Sequence, residues 1–245
     1  NPLGGGTSGT ASSLFSFPFD ASGRNNNGGT NATSVAINSQ TGAIWGQCFQ
    51  KETNTLFLSS LYRRHAGFGP LGISGIYKVD NMNSSPVVSN FVAISSLNSL
   101  FSFGTDAHSG LPAASSTPNN DASVFTAVGK NGIGDMDISE DGKWLYMVNL
   151  KDKNLYGVFI NNPYRTPTAT DVDKYVIPNP ACSNSEFVPF AVKCYGTYVY
   201  VGVVCTAETS KNLADLKASV YRLDPITGTW TNIITGTTFP LNFGR

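Results

Sequence analysis

The chain has 245 residues, enough to bury one sizeable core. Lys+Arg and Asp+Glu both number 16, so the formal net charge is zero and no basic field exists to hold a nucleic-acid backbone. No run of about 18 apolar residues occurs, so the sequence predicts no membrane-spanning helix.

The composition favours β-structure. Charged residues make up only 13% of the chain, which contains 25 Gly, 15 Phe and 10 Tyr. Aromatic residues favour strands, and glycine-rich polar segments favour turns. This composition is also common in secreted or surface-displayed bacterial proteins, so we expect a secreted or cell-surface protein.

The first part of the chain, residues 1–32, is predicted to be a flexible arm because it is rich in Gly, Ser, Thr and Asn. Within it, residues 14–19 alternate apolar and small side chains, as an edge strand does. The remainder, residues 33–245, is predicted to form one all-β domain.

Three similar units follow, each predicted from alternating apolar residues and polar turns. The first covers 44–94, with strands at 44–49, 55–61, 75–80 and 87–94. The second covers 134–177, with strands at 135–138, 144–150, 155–160 and 174–177. The third covers 188–234, with strands at 188–193, 198–205, 219–224 and 230–234.

Between the first two units lies a long insertion, 95–120, that has no clear periodicity and is rich in Ser, Asn, Pro and Gly. Insertions of this length are usually functional or mobile. Asp106 and His108 lie within it, and we interpret this pair as surface rather than as a metal dyad.

A strand, tight turn, strand, tight turn and strand form the meander of a β-propeller blade. The fold class is therefore predicted to be all-β, a β-propeller with three to four blades in this chain. Closed rings of this kind have six or seven blades, so the ring is expected to be incomplete at the C-terminal end. The remaining blades would come from the same polypeptide or from another chain.

Residues 43–80, 132–150, 189–210 and 215–224 together resemble a family of large exported or cell-surface bacterial proteins, of the type frequent in Bacteroidetes. Members carry a β-propeller region, often followed by immunoglobulin-like or Ser-Asp-repeat-type B modules. The resemblance extends roughly from Val35 to Arg245. It implies a propeller fold and an outer-surface location, but no specific chemistry.

One unusual loop offers a candidate ligand site at Arg63, Arg64, His65 and Phe68. Two guanidinium groups and an imidazole precede glycines that let the backbone approach a ligand closely. The functional interpretation is contact with an anion or a glycan. The alternative is a structural loop whose arginines pair with nearby carboxylates or carbonyl groups.

Asp135 and Asp137 form a second candidate site, because alternate residues of a strand point to the same side. Two carboxylates near a propeller axis could bind Ca²⁺, the one cofactor the sequence suggests. The alternative, which we favour, is that both side chains accept hydrogen bonds from backbone amides of the neighbouring blade. The first strands of the other two units offer no further carboxylate.

Four cysteines are present and none forms a C-x-x-C pair, which argues against a zinc knuckle or a thioredoxin-like site. We favour a disulfide between Cys182 and Cys205 that fastens the loop around Cys182, and the alternative is four buried free thiols.

Two functions remain open. The first is a non-catalytic surface propeller that binds protein or glycan, or that serves as a scaffold in an envelope assembly. The second is a metal-dependent propeller hydrolase or lyase with Asp135 and Asp137 at the metal. No G-x-S-x-G motif occurs and the two histidines are far apart, so a serine-histidine triad is not predicted.

Overall fold

The computed structural model describes residues 9–22, 32–112, 117 and 119–235. Within these residues the chain forms three four-stranded antiparallel sheets and one two-stranded ribbon. The prediction of an all-β fold is confirmed.

Each four-stranded sheet is a meander in which sequence neighbours pair. Sheet 1 consists of β3 (Ile44–Gln50), β4 (Thr55–Ser60), β5 (Gly75–Asp80) and β6 (Val87–Ala93). Sheet 2 consists of β7 (Ile133–Ile138), β8 (Trp144–Asn149), β9 (Asn154–Phe159) and β10 (Val172–Val176). Sheet 3 consists of β11 (Phe187–Tyr195), β12 (Tyr198–Cys205), β13 (Lys217–Asp224) and β14 (Thr229–Ile234).

All three sheets carry a β-bulge at the same step of their first strand. The pairing register shifts between Ile44 and Gln47, between Ile133 and Met136, and between Pro189 and Val192. A bulge at one repeated position marks the three sheets as copies of a single structural unit. Among these first strands, β7 lies between β3 and β11 and contacts both.

The sheets stack face to face in chain order. Phe57 and Ile76 of sheet 1 pack with Met136, Leu145 and Met147 of sheet 2. The opposite face of sheet 2 packs on sheet 3. The buried residues of this second core include Tyr146, Val148, Leu155, Val192, Val199, Val201, Val203, Tyr221 and Leu223. Successive β8 residues thus enter different cores, because strand side chains alternate between the two faces.

The outer face of sheet 1 is covered by a ribbon that the sequence did not predict as paired. The ribbon consists of β1 (Ser12–Ser16) and β2 (Thr33–Ile37). Leu14 and Ala36 are buried against Leu58, Tyr77 and Val79. The predicted arm, 1–32, therefore contains a strand that belongs to the packed fold, while 1–8 and 23–31 lie outside the described residues.

Helices are short. The α-helices are α1 (Asn38–Thr41) and α2 (Ile94–Leu97), and the remainder are single 3₁₀ turns. Across the described ranges, none of the helices has the length and apolar character needed to cross a bilayer. The described residues of the insertion after α2 form no strand, yet Phe101 and Phe103 belong to the core between sheets 1 and 2.

Candidate functional site

The predicted ligand loop at 63–68 is fastened to the insertion that precedes sheet 2. Arg64 Nη2 donates to the carbonyl oxygen of Asn120 at 2.6 Å, and its guanidinium lies over the Phe125 ring at 5.6 Å. The backbone N–H of His65 donates to Asp121 Oδ2 at 2.7 Å. These contacts are of the kind expected for a structural loop.

His108 lies at the centre of the contact between this loop and the insertion. We call the cluster of residues around it the His108 knot (Tyr62, Arg63, Phe68, Asp106, His108 and Asp121). Its Nδ1 is 2.5 Å from Asp106 Oδ1, and its Nε2 is 3.1 Å from the carbonyl oxygen of Arg63. Its ring meets Tyr62 and Phe68 edge-on, at 5.2 and 5.8 Å between centroids. The interpretation of Asp106 and His108 as plain surface is therefore wrong for His108, whose side chain is buried.

The knot has the residues of a catalytic dyad but not its geometry. A general base needs one ring nitrogen that faces a nucleophile or substrate proton. Both nitrogens of His108 face oxygen acceptors instead, with Asp121 Oδ2 a further 3.4 Å from Nε2. The arrangement ties the loop to the insertion and leaves His108 no free nitrogen for proton transfer.

Of the four predicted loop residues, Phe68 is buried, Arg64 and His65 are partly buried, and Arg63 is exposed. Arg63 and His65 line a cavity of about 230 Å³ together with Ser12, Ser13 and Asn38. Phe68 faces the knot rather than this cavity. An anion or glycan site at this loop stays a prediction, and it would depend chiefly on Arg63.

Asp135 and Asp137 meet the first strand of sheet 3. Asp135 Oδ2 accepts the N–H of Val192 at 3.2 Å, and Asp137 Oδ2 accepts the N–H of Cys194 at 2.8 Å. Glu140 continues the series by accepting the N–H of Gly196 at 2.7 Å. Two carboxylates of β7 and one of the turn that follows it thus accept alternate amides of β11 and of the turn after β11, a set of contacts that we call the carboxylate lock.

The carboxylate lock fits Ca²⁺ poorly. Asp137 Oδ1 accepts the N–H of Ile138 at 2.9 Å, and Lys193 Nζ lies 2.7 Å from Asp137 Oδ2. A hard cation needs six to eight oxygen ligands, and it would have to displace an ammonium and several amides. Within the described ranges no group of three or more His, Cys, Asp or Glu could hold a metal ion.

The first strands of the three sheets also enclose a groove of about 520 Å³, lined by residues such as Gln47, Cys48, Asp137, Lys193 and Cys194. Burial, and then the nearby Asp137 carboxylate, raises the pKa of both thiols. The thiolate is the reactive form of cysteine, so neither Cys48 nor Cys194 is an activated nucleophile at neutral pH.

Cys182 and Cys205 form a disulfide, as predicted, with their Cα atoms 5.3 Å apart. The bond joins the loop before β11 to the end of β12, whereas Cys48 and Cys194 are free and buried. Disulfides persist in oxidising compartments, so this bond fits an extracellular protein.

No family model matches the chain. It is similar to Colossin-C of Dictyostelium discoideum, with 28% identity over 184 residues, which are 74% of this chain and 17% of Colossin-C. The chain therefore spans about a sixth of the length of that relative.

Among solved structures, the chain is similar to a luciferin-regenerating enzyme, with 9% identity and a TM-score of 0.40, over 80% of this chain and 46% of that one. A protein from Lactobacillus plantarum is similar over 84% of this chain and 47% of its own chain, with 12% identity and a TM-score of 0.40. A PQQ-bound aldose sugar dehydrogenase from Streptomyces coelicolor is similar over 73% of this chain and 43% of its own chain, with 11% identity and a TM-score of 0.33. This chain spans less than half the length of each.

Proposed function

We propose that this chain is a non-catalytic segment of an extracellular β-propeller that mediates protein or glycan interaction or scaffolding. Its three sheets are then successive blades of a six- or seven-bladed ring, and β3, β7 and β11 are their inner strands. The observation that carries the proposal is the outer face of sheet 3, which none of the described residues covers, whereas the described residues cover both faces of the other two sheets.

The two faces of sheet 3 differ sharply in exposure. Val199, Val201 and Val203 are almost fully buried against sheet 2. On the other face, Tyr195 is 70% exposed, Ile233 is 47% exposed and Val204 is 36% exposed. A strand that is apolar on both faces is normally covered on both, and large exposed apolar patches usually mark partner surfaces.

The partner proposed for this face is a further blade, from the same polypeptide or from another chain. In a propeller each blade packs on two neighbours, as sheet 2 packs here on sheets 1 and 3. The location proposed is the secreted or cell-surface one. The resemblance to bacterial surface proteins remains part of this proposal, and the eukaryotic Colossin-C gives it no support.

The non-catalytic assignment is supported by the hydrogen bonds that already occupy the candidate catalytic and metal-binding groups. Asp135 and Asp137 bind backbone amides of β11, and His108 faces acceptors on both sides. The metal-dependent hydrolase or lyase is the weaker candidate, because it would need the same carboxylates for a cation.

The open face of sheet 3 can be tested with matched triple variants of the chain. We expect the wild-type chain to self-associate or to bind a hydrophobic dye, and Tyr195→Ser, Val204→Thr and Ile233→Thr together to abolish this. The control triple, Phe17→Ser, Leu100→Thr and Val176→Thr, removes apolar groups that are 68%, 79% and 76% exposed elsewhere. Dye fluorescence and light scattering are the measurements.

The control triple should behave as the wild type. A wild-type chain that is a monodisperse, dye-silent monomer of 26.0 kDa would overturn the proposal of an unfilled blade interface.

A further inference from the structure

A second cleft lies between sheets 2 and 3, away from the His108 knot. It is bordered by the β7–β8 turn of sheet 2 and by the β11–β12 and β13–β14 turns of sheet 3, and it has a volume of about 400 Å³. We call it the Trp144 cleft and define it by six of its lining residues: Glu140, Asp141, Trp144, Tyr146, Tyr198 and Ile226. Its volume is in the range of sites for small ligands or single side chains.

Aromatic rings form much of the cleft wall. Trp144 and Tyr146 are stacked, with centroids 6.2 Å apart and an interplanar angle of 21°. Trp144 is only partly buried, so part of its indole stays accessible. The opposite wall carries Tyr198, whose ring already holds Arg222 at 4.3 Å from its centroid. A cation over an aromatic face is thus a contact that this part of the fold already makes.

The hydroxyl group of Tyr146 is the unusual feature of the cleft. The side chain is only 4% exposed and lines the cleft, yet its hydroxyl makes no hydrogen bond to the described protein. Burial raises the pKa of Tyr146, so the hydroxyl stays neutral. The lone pairs of the hydroxyl oxygen can accept a hydrogen bond from a group that enters the cleft.

The charge of the cleft is acidic. Glu140 uses Oε1 for the Gly196 amide, which leaves Oε2 available. Asp141 Oδ2 is 3.8 Å from Lys143 Nζ, a loose contact between two side chains that are about half exposed. Among the described lining residues there is no Lys or Arg, and the nearby cations, Lys143 and Arg222, lie beside Asp141 and over the Tyr198 ring.

We propose that the Trp144 cleft binds a cationic side chain, Lys or Arg, from a peptide segment of a protein partner. This deepens the proposed interaction function and rests on it. The indole face attracts the cation, Glu140 and Asp141 provide charge-assisted acceptors, and the Tyr146 hydroxyl accepts one N–H. A neutral glycan would use the aromatic wall but would gain no charge pairing with the Glu140 and Asp141 carboxylates.

The test uses the full chain and short blocked peptides that contain one arginine, with the citrulline isostere as the neutral control. Calorimetric titration should show that the arginine peptide binds about tenfold or more tightly than the citrulline peptide. Tyr146→Phe removes only the hydroxyl and should weaken binding several-fold, whereas Tyr200→Phe, at a tyrosine that does not line the cleft, should not.

Charge is tested separately. Glu140→Gln with Asp141→Asn should remove the preference for arginine, and Glu208→Gln with Asp215→Asn makes the same charge change elsewhere. Equal binding of the arginine and citrulline peptides, or binding of neutral oligosaccharides alone, would overturn the proposal. Failure here, combined with dye binding at the outer face of sheet 3, would leave the proposed interaction function intact.

Discussion

Replacing Gly46 by alanine is expected to destabilise the fold by about 2–3 kcal/mol, a large cost for a single methyl group. A Cβ atom at this position would lie 2.5 Å from Ser59 Oγ, 2.7 Å from the Met136 backbone nitrogen and 2.8 Å from Met136 Cβ. Two of these atoms belong to β7 of the next sheet, so sheets 1 and 2 would have to separate. Urea unfolding, followed by circular dichroism, measures the change.

Gly202→Ala is the matched control, since Gly202 is also a strand glycine without a positive φ. A Cβ atom added there would have one close neighbour, Ala191 Cβ at 3.2 Å, within the same sheet. We expect the unfolding free energy of this variant to change by about 0.5 kcal/mol at most, because less backbone entropy is lost on folding. Equal stability of Gly46→Ala and the wild type would contradict the close packing of first strands.

Loss of the disulfide is the other large effect. Replacing Cys182 and Cys205 by serine should lower the unfolding free energy by about 3 kcal/mol, because the bond closes a loop of 23 residues in the unfolded chain. Chemical denaturation of the double variant and the oxidised wild type gives the difference. A reducing agent should destabilise the wild type and leave the double variant unchanged.

Thiol counting supplies the matching control. The native wild type should react slowly with a thiol reagent, because Cys48 and Cys194 are buried and their pKa values are raised. In denaturant without reductant, two thiols should react. Reaction of all four would show that the disulfide is absent.

The strands of the three sheets could be predicted because their information is local. Val199, Val201 and Val203 alternate with their neighbours, and polar turns separate strands that pair in sequence order. Antiparallel meanders need no long-range information to identify their partners. The predicted strand bounds therefore lie within a few residues of those in the structure.

Features that depend on distant pairing were harder to predict. β1 pairs with β2 across residues 17–32, whereas the sequence predicted an edge strand at 14–19 without identifying its partner. His108 seemed ordinary because its partners, Arg63 and Asp121, are far away in the sequence. The Trp144 cleft is assembled from three separate turns, so only its aromatic residues gave a signal, as strand formers.

The contacts of Asp135 and Asp137 could be predicted only in part. Their placement on one side of the first strand of sheet 2 could be predicted from the i, i+2 spacing of Asp135 and Asp137. The amides that they accept could not be identified, because the bulge in β11 sets which N–H groups face sheet 2. Hydrogen bonds to charged acceptors are among the stronger ones, so the lock helps to hold adjacent sheets together.

Amide hydrogen exchange at Val192 and Cys194 is the most direct test of the carboxylate lock, on which the non-catalytic assignment depends. We expect both amides to exchange slowly in the wild type, although they lie on a strand edge. Asp137→Ala should accelerate exchange of the Cys194 amide more than exchange of the Val192 amide. Adding Ca²⁺ should change neither rate. Fast exchange in the wild type, or exchange that Ca²⁺ accelerates at both amides, would mean that these carboxylates are free to bind a metal.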